Sequence, residues 1–338
     1  MKEELQNSCE CWFLDVGQGT SNVILLGEGR AIVIDCGPKS SKETIELLNR
    51  YVHTIEALVI SHNDEDHDGN VQRILNQYRK AVNAIYFLKD RSPSSKIATF
   101  ALLSSPEYKK DFPEPKGLVT DCTVFSENNL NLTVLYPGFM DNLEFEDNPN
   151  LTSGVLRLKC GNRKIVYPGD AGIKSWKSLS QKYGQKPLTC DVMAIPHHGG
   201  GLAKINRPAD HQELYSKYIK PQYGVISVGS SNSYKHPLPE AIVALRKQGI
   251  EVICSQMTVQ CCQDLELVRR VPRSIPQPSR SSKRQDKTQG GKSRNVACFG
   301  SVAIEVSEND IKISDISAFN RAFQKFEQIP SFTPMCKI

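Results

Sequence analysis

Long apolar runs are missing from this sequence of 338 residues, which argues against a membrane protein or a secreted one. No run approaches the roughly 18 consecutive apolar residues that a membrane helix requires. The N-terminal stretch, MKEELQNSCECWF, also lacks the apolar core of a secretion signal. We therefore predict a cytoplasmic protein that does not enter a membrane.

Paired cysteine spacing is missing as well. The chain contains 11 cysteines, an odd number without a CxxC pair, which is typical of reduced thiols rather than of a disulfide framework. This usage predicts a reducing compartment. Near the C-terminus, four cysteines either form a structural zinc site or are buried free thiols, and these are Cys254, Cys261, Cys262 and Cys298.

Positive charge is concentrated in one stretch. The formal net charge is +5, but residues 269–294 contain nine Lys or Arg against one Asp, a local charge of +8, so the remainder carries −3. Because this stretch is rich in Pro, Ser, Gly and Gln, it predicts a flexible insertion. It is either a solvated linker or a cationic arm that binds nucleic acid phosphates. The chain then divides into a catalytic domain (1–265), a basic insertion (266–295) and C-terminal strands and a tail that pack on the catalytic domain (296–338).

Histidines and carboxylates follow apolar strands at several points of the chain. The run IEALVI leads directly into SHNDEDH at residues 61–67, and three later strands end in YPGD, PHHGG and SYKHP. Loops at the ends of neighbouring strands can meet at one point, as a metal site requires. An EF-hand is excluded for DEDHDG, because the twelfth position counted from Asp64 is Leu75, which cannot ligate calcium.

The spacing inside HNDEDH favours two metal ions rather than one. Alternate side chains of a loop, from His62 to Asp64 and Asp66, can face one point, while His67 can reach a second point. Six or more ligands cannot crowd around a single zinc-like ion of four or five coordination. Mixed imidazole and carboxylate ligands suit zinc, manganese or iron. We predict two divalent metal ions, zinc or manganese, without choosing between them.

These motifs resemble those of the metallo-β-lactamase fold, and within it the ComEC-like branch of competence proteins. The signature of the fold is HxHxDH and that of the branch is HxDxDH, which stands here as HNDEDH. FLDVGQGTSNVI, VIDCG, YPGDAG, IPHHGG and SVGSSNSYKHP match in the same order, over roughly residues 10–255. The resemblance implies an α/β fold, an αββα sandwich with two facing mixed sheets, outer helices and a two-metal site at one edge.

The resemblance also implies a set of metal ligands. Carried over, the set is His62 and Asp64 for the first metal, Asp66 and His67 for the second, Asp170 between them, and His197 or His198 for the second metal. The choice between the last two stays open. Many members place a further histidine on the first metal, but this chain has none between His67 and His197. ComEC-like members share this lack and have an asparagine before the following strand; the resemblance makes Asn150, in NPNLTSGVLRL, its counterpart and a residue that contacts substrate.

Further residues receive predicted roles around this centre. Asp66 would accept a proton or orient the attacking hydroxide, and His236 would protonate the leaving oxygen or bind a phosphate. Lys235 favours an anionic substrate, and Asn232 is a candidate substrate contact. Asp15 and Asp35 either support a ligand histidine from behind or merely form turns. The isolated histidines, His53 and His211, are interpreted as surface or packing residues.

The predicted function is hydrolysis of DNA phosphodiester bonds by a hydroxide held between two metal ions. One alternative is a small-molecule metallo-hydrolase, such as a cyclic nucleotide phosphodiesterase or an ester or lactam hydrolase. Another is a subunit that binds nucleic acid without catalysis. We expect DNA rather than RNA as the nucleic acid partner. A protein partner in a larger defence or repair system is also compatible with the sequence. The sequence leaves the oligomeric state open.

Overall fold

Two β-sheets with helices make up the computed structural model, which describes residues 8–88, 105–144, 149–184, 186–269 and 296–336. The strands are β1 Ser8–Phe13, β2 Ser21–Gly27, β3 Arg30–Cys36, β4 Thr54–Val59, β5 Ile85–Phe87, β6 Lys116–Gly117, β7 Thr123–Glu127, β8 Leu130–Tyr136, β9 Val155–Cys160, β10 Arg163–Tyr167, β11 Leu188–Ala194, β12 Ile219–Ile226, β13 Glu251–Cys254, β14 Val302–Ser307 and β15 Ile311–Ile313. The helices are α1 Glu43–Tyr51, α2 Glu65–Asp68, α3 Val71–Gln77, α4 Pro106–Lys109, α5 Phe139–Glu144, α6 Ile173–Tyr183, α7 Pro208–Glu213, α8 Pro239–Lys247, α9 Leu265–Arg269 and α10 Ile316–Phe326.

Both sheets are mixed. The first has the strand order β15-β14-β1-β2-β3-β4-β5-β6, and the second has the order β13-β12-β11-β10-β9-β8-β7. In the first sheet β3, β4, β5 and β6 are parallel, and in the second β10, β11, β12 and β13 are parallel; the other pairs are antiparallel. The predicted sandwich of two facing mixed sheets with outer helices is confirmed.

Strand β3 shows why the apolar pattern is continuous rather than alternating. Its sequence, RAIVIDC, is buried on both faces. Ile32 and Ile34 lie in the core between the sheets, whereas Ala31 and Val33 lie in the core beneath the outer helices. A strand covered on both sides needs apolar residues at every position.

The helix α1 covers the outer face of the first sheet with one apolar side. Ile45, Leu47 and Leu48 are buried in the outer core together with residues of α3. Ile45 and Leu48 are three residues apart, which follows the period of a helix whose other side faces solvent. Residues of β3 and β4 belong to the same core, and the carboxyl ends of these strands carry the first part of the candidate site.

The C-terminal strands extend the first sheet. Strand β14 pairs antiparallel with β1, from Val302 opposite Phe13 to Ser307 opposite Ser8, and β15 forms the edge. Most of the basic insertion, residues 270–295, lies outside the described residues. Within the described residues, no helix combines the length and hydropathy needed to cross a bilayer.

Of the two alternatives for the four C-terminal cysteines, a structural zinc site or buried thiols, the contacts of the described residues favour buried thiols. Among the described residues, the two groups whose ligand atoms lie close enough to share a metal contain no cysteine. The thiol of Cys262 donates instead to the carbonyl of Asp264 at 3.2 Å and lies 3.3 Å from the hydroxyl of Ser331. Cys254 and Cys298 are buried in the core and are not disulfide partners.

Candidate metal centre

The motif SHNDEDH leaves the carboxyl end of β4 and turns at once into the single-turn helix α2. The turn brings the rings of His62 and His67 to 4.1 Å between centroids, although the residues are five apart in sequence. Both rings are buried. Asp64 and Asp66 stay partly exposed, with 26% and 29% of their side chains accessible, so both carboxylates lie at the open side of the centre.

Asp170 reaches the same point from the second sheet, directly after a glycine turn. Gly169 has a φ of +51°, and a side chain there would overlap Ser153 and Ser61, so only glycine fits this turn. The Asp170 carboxylate then lies with Oδ1 3.1 Å from His67 Nε2 and with Oδ2 3.7 Å from His62 Nε2. The predicted ligands from the two sheets are therefore adjacent.

The turn after β11 presents both histidines of the PHHGG motif. His197, His198 and Gly199 all have left-handed backbones, with φ of 53°, 55° and 75°. For a residue with a side chain this conformation costs about 1–3 kcal/mol. The ring of His198 lies with Nε2 3.3 Å from Asp66 Oδ2, and that of His197 with Nε2 3.7 Å from Asp170 Oδ2.

Several buried polar atoms at this point lack hydrogen bonds within the described part of the chain. They are Nε2 of His62, His67 and His198 and Oδ1 of Asp170. Buried polar atoms are normally satisfied, so such a cluster indicates a missing ligand. His62, His67 and Asp170 form one group with all ligand atoms within 4.8 Å, and Asp66, His67 and His198 form another. Imidazole nitrogens and carboxylate oxygens fit a divalent cation of the zinc or manganese kind.

Residues 15–200, more than half of the chain, match the family model of the metallo-beta-lactamase superfamily. The chain belongs to the metallo-beta-lactamase superfamily. Members of this superfamily are generally metal-dependent hydrolases that hold divalent cations, and the His/Asp cluster lies within the matched residues. The resemblance seen in the sequence is confirmed for the fold.

Curated relatives confirm the ComEC-like part of the resemblance. The chain is 25% identical over 258 residues to "Competence protein ComA" of Neisseria gonorrhoeae, a match that covers 75% of this chain and 32% of that protein. It is 25% identical over 264 residues to "Recombination protein 2" of Haemophilus influenzae, covering 74% of this chain and 29% of that protein. The chain thus spans about a third of the length of the curated relatives it matches.

A solved structure with a similar topology is the metallo-beta-lactamase fold protein YhfI from Bacillus subtilis. The two chains are 14% identical with a TM-score of 0.46, and the match covers 73% of this chain and 96% of that one.

The histidines of this superfamily member are fixed from behind at Nδ1. His67 Nδ1 lies 2.8 Å from Asp35 Oδ2, and His198 Nδ1 lies 2.9 Å from the carbonyl of Ser227. An acceptor at Nδ1 keeps the proton there and leaves the lone pair on Nε2 for a metal. The hydroxyls of Ser61 and Ser153 lie 3.1 Å and 3.3 Å from His62 Nδ1.

Electrostatic shifts follow from this packing. Burial lowers the pKa of His67, but the carboxylates of Asp170 and Asp35 outweigh it and hold that pKa well above its usual value. Burial first, and then the charge of His67, lowers the pKa of His62 to about 4. Although burial opposes it, the neighbouring imidazoles, His67 foremost, hold the pKa of Asp170 well below its usual range. In the absence of a cation, a proton on His67 therefore balances the buried carboxylates.

The two aspartates predicted as supports occupy different places. Asp35 accepts from the backbone N–H and the hydroxyl of Ser61, both at 2.7 Å, in addition to its contact with His67. Asp15 accepts from Gln256 Nε2 at 2.7 Å and from the backbone N–H of Gly17 at 3.3 Å. Asp35 thus orients a ligand histidine, whereas the hydrogen bonds of Asp15 join two loops.

The loop of residues 229–237, which we call the rim loop, carries the remaining predicted residues. The amide of Asn232 bonds within the loop: Nδ2 donates to the carbonyls of Gly229 and His236, and Oδ1 accepts from the backbone N–H of His236 at 2.7 Å. These bonds give Asn232 a role in building the loop, and a substrate contact at this residue stays a prediction. Lys235 is exposed at the tip of this loop.

His236, near the end of the rim loop, is buried against the turn that carries His197 and His198, which we call the histidine turn. Its ring lies 5.3 Å from that of His197 and 6.3 Å from that of His198, and the exposed ring of Tyr234 stacks on it at 5.5 Å. Burial first, then the nearby imidazoles, lowers the pKa of His236 to about 4. Its imidazole is therefore neutral near pH 7.

Sequence reasoning missed the serines around the centre. Besides contacting His62, the hydroxyl of Ser153 accepts the backbone N–H of Asp170 at 2.9 Å, so it joins ligands from both sheets. Asn150, the predicted substrate contact, lies in the short turn Pro149–Thr152 just before Ser153 and is partly buried. Ser61 directly precedes His62, and that adjacency is the signal that could have identified it.

Proposed function

We propose that this protein is a metal-dependent nuclease that hydrolyses phosphodiester bonds of DNA. The observation that carries the proposal is the convergence of buried imidazole nitrogens on the two oxygens of Asp170. A pair of divalent cations, zinc or manganese, would supply an activated water and neutralise charge on the phosphate oxygens.

The residues divide the work between two sides of Asp170. His62 and Asp64 would hold the first cation, and Asp66, His67 and His198 the second, with Asp170 reaching both. His198 is favoured for the second site over its neighbour because it forms a close group with Asp66 and His67. Asp66 also lies at the open side, where its carboxylate can take a proton from the attacking water.

A phosphodiester would enter beside the rim loop. His236 lies next to the histidine turn, and its N–H would meet a phosphate oxygen or the leaving oxygen. Lys235 is exposed and adds positive charge at the entrance. Tyr234 has 67% of its surface exposed, which leaves a ring face free to stack on a nucleobase, as aromatic residues do in proteins that bind single strands.

Two further features support DNA as the substrate. The matched relatives are named for competence and recombination, processes that involve DNA. The stretch of residues 269–294 carries a charge of +8. Val296, two residues beyond it, donates its backbone N–H to the hydroxyl of Ser230 in the rim loop at 2.8 Å. Basic segments attract phosphate chains by releasing counterions.

A cyclic nucleotide phosphodiesterase is the second candidate, because the same ligands and the Tyr234 ring would also serve a small nucleotide. The test is to incubate the full chain with linear and circular DNA, single-stranded DNA, RNA and cyclic nucleotides, adding manganese, magnesium or zinc in turn. Cleavage of DNA that disappears in Asp66→Ala and His67→Ala is expected, with the exposed His53→Ala as the matched control that retains activity. Turnover of cyclic nucleotides alone would favour the second candidate.

A further inference from the structure

We propose that His197 is a ligand of the first cation. Its imidazole takes the place of the further histidine that many members put on this cation and that this chain lacks between His67 and His197. The assignment rests on the metal centre of the proposed function. It also means that the two adjacent histidines of the PHHGG motif serve different cations, with His198 on the second.

The carboxylate of Asp170 separates four imidazoles into two pairs. Its Oδ1 lies 3.1 Å from His67 Nε2 and 3.9 Å from His198 Nε2. Its Oδ2 lies 3.7 Å from His62 Nε2 and 3.7 Å from His197 Nε2. A carboxylate that holds one cation on each oxygen would therefore place His197 beside the cation of His62.

The hydrogen-bond partner of His197 is one that a ligand histidine uses. Its Nδ1 lies 2.7 Å from the carbonyl of Gly201, which can only accept, so Nδ1 carries the proton and Nε2 keeps its lone pair. The same arrangement holds His198 through the carbonyl of Ser227. Both rings thus present a bare nitrogen to the Asp170 carboxylate.

The backbone holds His197 close to Asp170. The N–H of His197 donates to the carbonyl of Gly169 at 3.2 Å, which fastens the histidine turn to the residue before Asp170. Both histidines of the turn adopt the left-handed conformation, which is rare for residues with side chains. Such strain is usually kept where it places side chains for function.

His197 belongs to neither of the two groups whose ligand atoms lie within 4.8 Å of one another. Its ring must therefore move toward His62 when a cation enters. Room for this movement exists, because 27% of the side chain is exposed. Once closed, each cation has two imidazoles, one aspartate of its own and one oxygen of Asp170. The first site then has four protein donors, like the second, and each keeps positions for water and substrate.

The test is a Mn²⁺ titration of the full chain, followed by calorimetry and by electron paramagnetic resonance, which detects two coupled ions. The variants are His197→Gly and, as its matched control, His198→Gly. Glycine adopts the left-handed backbone without strain, so both variants are expected to fold, and circular dichroism of the metal-free proteins checks this. Asp64→Asn and Asp66→Asn remove a ligand from the first and the second site, respectively.

The wild type is expected to bind two Mn²⁺ per chain with a coupled spectrum. His197→Gly should lose the coupled signal and bind the first ion about 100-fold more weakly, and added imidazole should restore the coupling. When His197→Gly is combined with Asp64→Asn, binding of the second ion should weaken no further. When it is combined with Asp66→Asn, both sites should be lost.

Two tight, coupled ions in His197→Gly would overturn the assignment and leave the side chain as a contact for the substrate phosphate. Loss of the second ion in the double variant His197→Gly with Asp64→Asn would also overturn the assignment, because this loss would place His197 on the second cation. A wild type that binds two ions but cleaves no phosphodiester would refute the proposed function and leave this assignment intact.

Discussion

Replacing Asp35 by asparagine tests whether a residue that touches no cation controls metal binding. Asp35 is buried and accepts three hydrogen bonds, two from Ser61 at 2.7 Å and one at the His67 Nδ1 position at 2.8 Å. Its φ is 57°, a left-handed conformation that asparagine adopts readily. The substitution therefore changes the charge and hydrogen bonding without straining the backbone.

The expected effect acts through the tautomer of His67. If the amide nitrogen of the substituted side chain faces His67, the imidazole must accept at Nδ1 and carry its proton on Nε2, the atom that faces Asp170. A protonated Nε2 cannot bind a cation. Loss of a carboxylate behind a ligand histidine weakens metal binding by about 10-fold to 100-fold, and loss of a charge-assisted hydrogen bond costs about 1.5–3 kcal/mol of stability.

The assay is a Mn²⁺ titration by calorimetry at pH 7, together with thermal unfolding of the metal-free protein. Asp191→Asn is the matched control, since Asp191 also accepts a backbone N–H, from Lys164 at 2.7 Å, and a guanidinium N–H from Arg163, away from the centre. It should lower the melting temperature and leave Mn²⁺ affinity unchanged. A folded Asp35→Asn protein that binds Mn²⁺ as tightly as the wild type would refute the reasoning.

Four further predictions concern pH, the glycine turn, the basic insertion and the rim loop. The raised pKa of His67 means that its proton stabilises the metal-free fold at low pH, and this contribution is lost as pH rises through the folded pKa. Because a cation must displace this proton, Mn²⁺ affinity measured by calorimetry should rise with pH between 5 and 8. An affinity that does not change with pH would contradict this prediction. Gly169→Ala should destabilise the protein by about 1–3 kcal/mol in denaturant unfolding, since its φ is +51° and the added carbon meets Ser153 and Ser61. Deleting residues 272–294 should weaken DNA binding and flatten its salt dependence, and an unchanged slope would identify the stretch as a spacer. Tyr234→Ala should weaken binding of single-stranded DNA by about 1–3 kcal/mol relative to Tyr234→Phe in fluorescence titrations. An equal loss of binding free energy for strands without bases would contradict stacking.

The sequence alone was sufficient for the fold and for the position of the centre along the chain. Runs such as IEALVI and RAIVID indicate strands because they are continuous apolar stretches of strand length, and these strands lead into polar loops. Such signals are local, since each depends on neighbours within a few residues. The motif HNDEDH is equally local, and α2 brings its two histidines together within one turn.

Other assignments depended on contacts between distant residues. Asp15 and Asp35 give the same signal, an aspartate after a strand beside a glycine, yet one binds Gln256 and the other His67. The four C-terminal cysteines suggested a metal site, but their spacing carries no information about where their sulfur atoms point. Asn232 is a candidate substrate contact from the sequence, whereas in the structure the rim loop uses its amide for its own backbone.

The adjacent histidines show this division most clearly. From the sequence, His197 and His198 are interchangeable, because both follow an apolar strand and both precede glycines. The tertiary structure separates them through their partners, the carbonyls of Gly201 and Ser227, and through left-handed backbone angles that turn each ring toward a different oxygen of Asp170. Residue type is fixed by the sequence, but the direction of a side chain depends on dihedral angles and on partners that only the packed sheets bring near.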